Sequence, residues 1–191
     1  MAIAPESTSP TLMERLRDPA DHEAWKVFYE IYTRPITAWL KRSGVPASDL
    51  DERASGVILH VYRQFVEGKF VYDSNRSFRS WLKTVCCRAA IDHYRRTKRR
   101  EFVSIFEAEL LCDGPSSYFE SVEFQTLVWQ DTLSLLVKKG SVSQKHARAF
   151  LAVHEGTPIS QIAAEWGMTE EAVKMANIRV TRKLHEILGD S

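Results

Sequence analysis

The sequence predicts an all-α protein: two small helical domains joined by an acidic linker, the C-terminal one a helix-turn-helix. Three observations predict it. Apolar residues recur at three- and four-residue steps, while runs of strict apolar–polar alternation are missing. Glycine and proline punctuate these stretches at helix-length intervals. Charge is segregated along the chain: residues 76–100 hold nine Lys and Arg against one Asp, a local charge of +8, and residues 101–123 hold six acids and no Lys or Arg. The net charge of +1 over 191 residues conceals that layout. A block of this kind points to an anionic partner for its basic part.

Each element follows from local signals. Leu12 and Leu16 mark a short first helix with Thr11 as its cap. Asp21 opens a longer one, whose broad apolar face is Trp25, Phe28, Tyr29, Tyr32, Ile36, Trp39 and Leu40. Pro35 is expected to kink or break it, and Gly44 and Pro46 end it. The next helix starts near Ser48 or Asp49, buries Leu50, Ala54, Val57, Ile58, Val61, Tyr62 and Phe65, and stops at Gly68. A loop follows to about Ser77. From Phe78 to about Arg100 runs a helix expected to bury Phe78, Leu82, Val85, Ala89 and Tyr94. Residues 101–121, with Gly114 and Pro115, read as the linker between a domain at 10–100 and one at 122–189, although Phe102, Ile105, Phe106, Leu110 and Leu111 are too apolar for a simple tether and suggest that part of it docks. Helices resume over Val122–Lys139, after the cap Ser143, over Ser160–Trp166 and over Glu170–Leu188.

Residues 157–184 carry the helix-turn-helix pattern. A short helix ends at Gly167, and Thr169 caps a second one with Glu170 and Glu171 in its first turn. Ile159, Ile162, Ala163, Met168, Val173 and Ile178 are spaced to pack the pair at a steep angle. In such a motif the second helix enters the major groove. Glu171, Lys174 and Met175 are then candidates for base edges, and Arg179, Arg182 and Lys183 for phosphates. Asn177 is either an adenine reader or an ordinary surface residue. The bland alternative for the whole segment is a helical hairpin with a solvated basic face.

In residues 70–100 aromatic rings are interleaved with Arg and Lys, which suits single-stranded nucleic acid: cations for the backbone, flat rings for unstacked bases. Phe78 and Trp81 read better as core. The loop residues Tyr72, Asn75 and Arg76 read better as base contacts. Arg88, Asp92, Arg95, Arg96 and Arg99 recur at helical steps and form one face suited to phosphates, with a plain solvated face as the competing reading.

Taken together, Ser77-Phe78-Arg79-Ser80-Trp81-Leu82, then Arg88-Ala89-Ala90-Ile91-Asp92-His93-Tyr94-Arg95-Arg96, and the motif over Ile159 to Leu184 resemble bacterial RNA polymerase sigma factors of the extracytoplasmic-function (ECF) class. The resemblance covers about residues 11–188. It implies that the front domain binds the clamp helices of the polymerase largest subunit, and melts and reads the −10 element. The rear domain would read the −35 element as duplex and touch the polymerase flap. By position, Tyr72, Asn75, Arg76 and Arg79 fall in or beside the segment that captures a flipped −10 base, and Arg88, Asp92, His93, Arg95 and Arg96 on the helix facing the upstream −10 edge. Thr169, Glu171, Lys174, Met175, Arg179, Arg182 and Lys183 fall on the −35 helix. Asp51, Glu52 and Ser55 fall on the polymerase-binding helix. There the family's acidic pair remains, but its Gln-Glu has become Ser55-Gly56, and an interior glycine costs a helix about 1 kcal/mol relative to alanine. The resemblance also allows an anti-sigma partner.

Other classes find little support. The six histidines are scattered, and Cys86, Cys87 and Cys112 have neither disulfide nor metal spacing, so no metal, no cofactor and a reduced cytoplasmic setting are expected. No nucleophile motif or phosphate loop argues for an enzyme. No apolar run is long enough for a membrane span. The nearest rival is a stand-alone helix-turn-helix regulator, which would not need the aromatic and basic stretch in the front half.

Overall fold

Thr11–Phe70, Phe78–Thr97, Tyr118, Phe119 and residues 121–189 are described by a computed structural model. Among these residues every regular element is helical. In chain order they are α1 (Leu12–Arg15), α2 (His22–Arg42), a 3-10 turn (Ala47–Asp49), α3 (Leu50–Val66), α4 (Phe78–Thr97), α5 (Val122–Lys138), α6 (Gln144–His154), α7 (Ile159–Trp166) and α8 (Glu170–Leu188). None of them is long and apolar enough to cross a membrane.

Contacts divide the described residues into two units, and the division differs from the expected 100/122 boundaries: those within 16–128 form a front unit, and those within 129–189 form a rear unit together with α1. The reason lies in four side chains. Tyr118 and Phe119, expected in the linker, are buried, as are Phe124 and Val128. Phe119 is 1 % exposed, with its ring 5.9 Å from Trp39 and 5.0 Å from Phe124. The Tyr118 hydroxyl donates to the Pro35 carbonyl at 3.3 Å, and the Arg42 guanidinium lies 5.1 Å from the Tyr118 ring. Arg42 also pairs with Glu123. The end of the expected linker is therefore part of the front core, and the division falls inside α5.

In the front unit α3 packs against both α2 and α4, and α2 also meets α4. Asp21 caps α2 by accepting from the Ala24 amide at 2.9 Å, one of the donors a helix start leaves unpaired. Pro35 does not break α2, which runs through it from His22 to Arg42. An interior proline costs about 3 kcal/mol. Burial of Ile31, Tyr32, Ile36, Trp39 and Leu40 on either side of it outweighs that cost, at roughly 1.5–3 kcal/mol for a large apolar side chain. Tyr29, expected on the buried face, lies at its edge and is 51 % exposed. Ile58 and Tyr62 on α3 are likewise only half-buried.

The buried row of α4 is Phe78, Leu82, Val85, Cys86, Ala90 and His93, with Cys87 buried beside it. That row keeps three- and four-residue steps through Ala90, which leaves the expected Ala89 half-exposed at its margin. Burial pushes the Cys86 thiol well above the ordinary thiol range, so it serves as a packing group.

The rear unit holds two apolar clusters. Leu133, Leu136, Val142, Ala147, Phe150, Val180 and Leu184 join α5, α6 and α8. Ala149, Ile162, Ala163 and Val173 join α6, α7 and α8. Ser143 caps α6 by accepting from the His146 amide at 3.2 Å. Gly167 stops α7 in the left-handed conformation (φ 59°, ψ 47°), where a residue with a Cβ is strained. Thr169 restarts the chain as the cap of α8, accepting from the Ala172 amide at 3.1 Å. One expectation fails here. Ile178 does not pack against α7 but stands 61 % exposed, and Val173, Ala176, Val180, Leu184 and Leu188 form the inward row instead.

Candidate nucleic-acid interface

Two helix faces carry the residues singled out by the sequence, one in each unit. On α4 the inward row leaves Arg88, Asp92, Arg95 and Arg96 exposed along the opposite side. Charged side chains gather there because every inward position is taken by an apolar group or by His93. Arg88, Asp92 and Arg96 form one wall of a groove of about 560 Å³ between α4 and α3, and Glu52, Arg53, Ser55, Gly56, Leu59 and His60 contribute the other. The structure thus brings Glu52 and Ser55, expected at a protein contact, beside three residues expected at DNA. Asp51 is exposed on α3 nearby in sequence but does not line the groove. Nothing lies within 4 Å of the position a Gly56 Cβ would occupy, so this glycine widens the groove rather than permitting a close approach.

Two of the expected α4 residues face elsewhere. His93 is 2 % exposed, with Nε2 3.7 Å from the Asp49 carboxylate at the start of α3. It holds α4 against α3. Arg79 is half-buried, with its guanidinium 5.7 Å from the centre of the Phe124 ring; burial lowers its pKa. Beneath it, burial raises the Tyr32 hydroxyl to about 12. Next along α4, the Tyr94 hydroxyl donates to the Ser43 carbonyl at 2.6 Å. Its oxygen occupies the space that a Cβ on Gly44 would need, and Gly44 has φ +82°. Tyr72, Asn75, Arg76 and Arg99 lie outside the described residues. At the edge of that stretch, Phe70 packs 4.5 Å from both Phe65 and Trp81. Phe78 is in the core and Trp81 is half-buried on it.

On α8, Glu171, Lys174, Met175, Arg179 and Arg182 are all exposed, and Thr169 is exposed at its cap. The ion pairs of this helix fall at its far end, where Lys183 meets Glu186 at 2.6 Å and Arg182 approaches the same carboxylate at 3.9 Å. Glu186 therefore offsets part of the charge of two expected phosphate contacts. Its spacing from Arg182 and Lys183, four and three residues, was present in the sequence as a pairing signal. Asn177 turns inward: its side-chain oxygen is buried and has no hydrogen-bond partner among the described residues. Sequence reasoning also missed Leu59 and His60 in the groove, because an exposed leucine beside a histidine carries no periodic signal.

A second recess of about 330 Å³ in the rear unit is lined by Gln144, Lys145, Arg148 and Trp166. The Arg148 guanidinium lies 5.3 Å from the Trp166 ring centre, a cation–π contact that fixes the cation's position. The α4 and α8 faces both offer exposed cations, and α8 also offers exposed apolar side chains. Compared with protein-family profiles, with curated proteins and with solved structures, the chain matches none.

Proposed function

We propose that this chain is a transcription initiation factor of the sigma type, which associates with core RNA polymerase and brings it to promoter DNA. The observation that carries the reading is the pairing of two exposed cationic helix faces in separately packed units. The α4 face bears Arg88, Arg95 and Arg96, and the α8 face bears Lys174, Arg179 and Arg182. Each helix satisfies its core with the opposite row, which leaves its cations exposed to phosphates, Arg182 with part of its charge offset by Glu186. The front unit would handle the −10 region, with Tyr72, Asn75 and Arg76 taking an unstacked base. The rear unit would lay α8 in the major groove of the −35 region. On α3, the groove wall that bears Glu52 and Ser55, with Asp51 nearby in sequence, would meet the polymerase, and the α4 wall would stay with the DNA. His93 and Arg79 support this reading by positioning α4 and the start of α5, not by touching DNA.

Run-off transcription tests it. Purified chain added to bacterial core polymerase should yield discrete transcripts from duplex templates that core alone does not initiate. Duplex binding that is independent of polymerase, with no transcripts, would favour a stand-alone regulator. Neither binding nor initiation would sink both readings.

A further inference from the structure

Ile178 poses the question. It is the most exposed large aliphatic residue on α8 (61 %), and Met175, one turn before it, is 39 % exposed. Glu171, Met175, Ile178 and Arg182 follow one another at steps of four, three and four residues, so they form a single row. Val173, Ala176, Val180 and Leu184 occupy the buried side. The middle of the outward row is thus apolar, with Lys174 and Arg179 exposed on either flank.

We propose that Met175 and Ile178 read the C5-methyl groups of thymines in the major groove, with Glu171 accepting from a cytosine amino group beside them. The inference rests on α8 being the duplex-reading helix, and it names what that helix reads.

Three arguments support this occupant. Flanking cations suit two lines of phosphates, while the only apolar feature a base pair offers in the major groove is the thymine methyl. Two side chains are too small a patch for a stable protein interface, which needs about 800 Å² per partner. A carboxylate in a row flanked by phosphates would be repelled unless it meets a donor, and the cytosine amino group is the usual one for Glu. From Glu171 to Ile178 the helix rises about 10.5 Å at 1.5 Å per residue, which spans about three base steps of 3.4 Å. The predicted element therefore mixes cytosine with neighbouring thymines over about four base pairs.

The test uses the full chain bound to bacterial core polymerase and a pool of random-sequence duplexes. Duplexes retained by the complex and not by core alone are sequenced. They are then remade with deoxyuridine in place of individual thymines, which removes only the methyl group. Losing one contacted methyl should weaken binding about fourfold, from about 0.8 kcal/mol per buried methyl-sized group. The Ile178→Ala protein should lose that sensitivity at one thymine, and Met175→Ala at its neighbour. Both positions are exposed, so neither change should alter folding, which helical circular dichroism checks. Selected duplexes that bind equally well with uracil, or a uracil effect unchanged in both variants, would overturn the proposal while leaving duplex reading intact. If no sequence is retained above core alone, the duplex-reading role of α8 falls, and this inference with it.

Discussion

Replacing Arg88, Arg95 and Arg96 together by alanine should flatten the salt dependence of promoter binding in a calculable way. The three are exposed on one side of α4, and Arg79 is excluded because its guanidinium is half-buried over Phe124. Each phosphate contact contributes about −0.9 to the slope of log K against log salt on duplex DNA, so three lost contacts flatten it by about 2.7. On single strands the corresponding change is about 2.1. Between 50 and 200 mM salt the parent should therefore lose about 40-fold more affinity than the variant if α4 holds duplex, and about 20-fold more if it holds an opened strand. The assay is equilibrium binding of labelled promoter DNA to the chain with core polymerase, across that salt range, beside Arg79→Ala as the comparison. Arg79→Ala should lower stability and leave the slope unchanged. An unaltered slope in the triple variant, or an equal flattening by Arg79→Ala, would refute the assignment of the α4 face.

Lys174→Ala should weaken binding by about 1–3 kcal/mol on the selected −35 sequence alone if Lys174 reaches a base edge. Uniform weakening across sequences would make it a phosphate contact. Phe119→Ala should destabilise the front unit by about 3–5 kcal/mol in urea unfolding, because a ring 1 % exposed is deleted from a packed site; a loss under about 1 kcal/mol would mean that 118–128 is not docked. Tyr94→Phe removes the hydrogen bond to Ser43 and should cost about 1 kcal/mol. Gly44→Ala should cost more, since it adds a Cβ where the Tyr94 hydroxyl sits and forces alanine to φ +82°. The reverse order, read from the same unfolding curves, would contradict the account of how α4 is fastened.

The helices were legible in advance because their signals are local. Asp21, Ser143 and Thr169 cap as their residue types suggest, and Gly167 takes the left-handed turn that a short helix before a cap requires. Charge segregation was legible too, since exposed cations need no long-range partner to stay exposed. The candidate site was only partly so. Arg88, Arg95 and Arg96 are outward as their spacing suggests, whereas His93, in the same run, is held inward by Asp49, 44 positions earlier.

What the sequence determined by itself is the set of helices, several of their caps and stops and the centres of their apolar rows, because capping, turn chemistry and helical period act within a few residues. What only the tertiary structure decided is how the margins of those rows are covered. Ile178 is exposed because Val180 and Ala176 complete the inward row of α8, and Ala89 gives way to Ala90 for the same reason. Tyr118 and Phe119 left the linker for the core because Trp39 and Pro35 offered them apolar surface and a carbonyl. Periodicity fixes angles around one helix, but burial at the edge of a face depends on side chains brought from tens of residues away, and no local pattern encodes those.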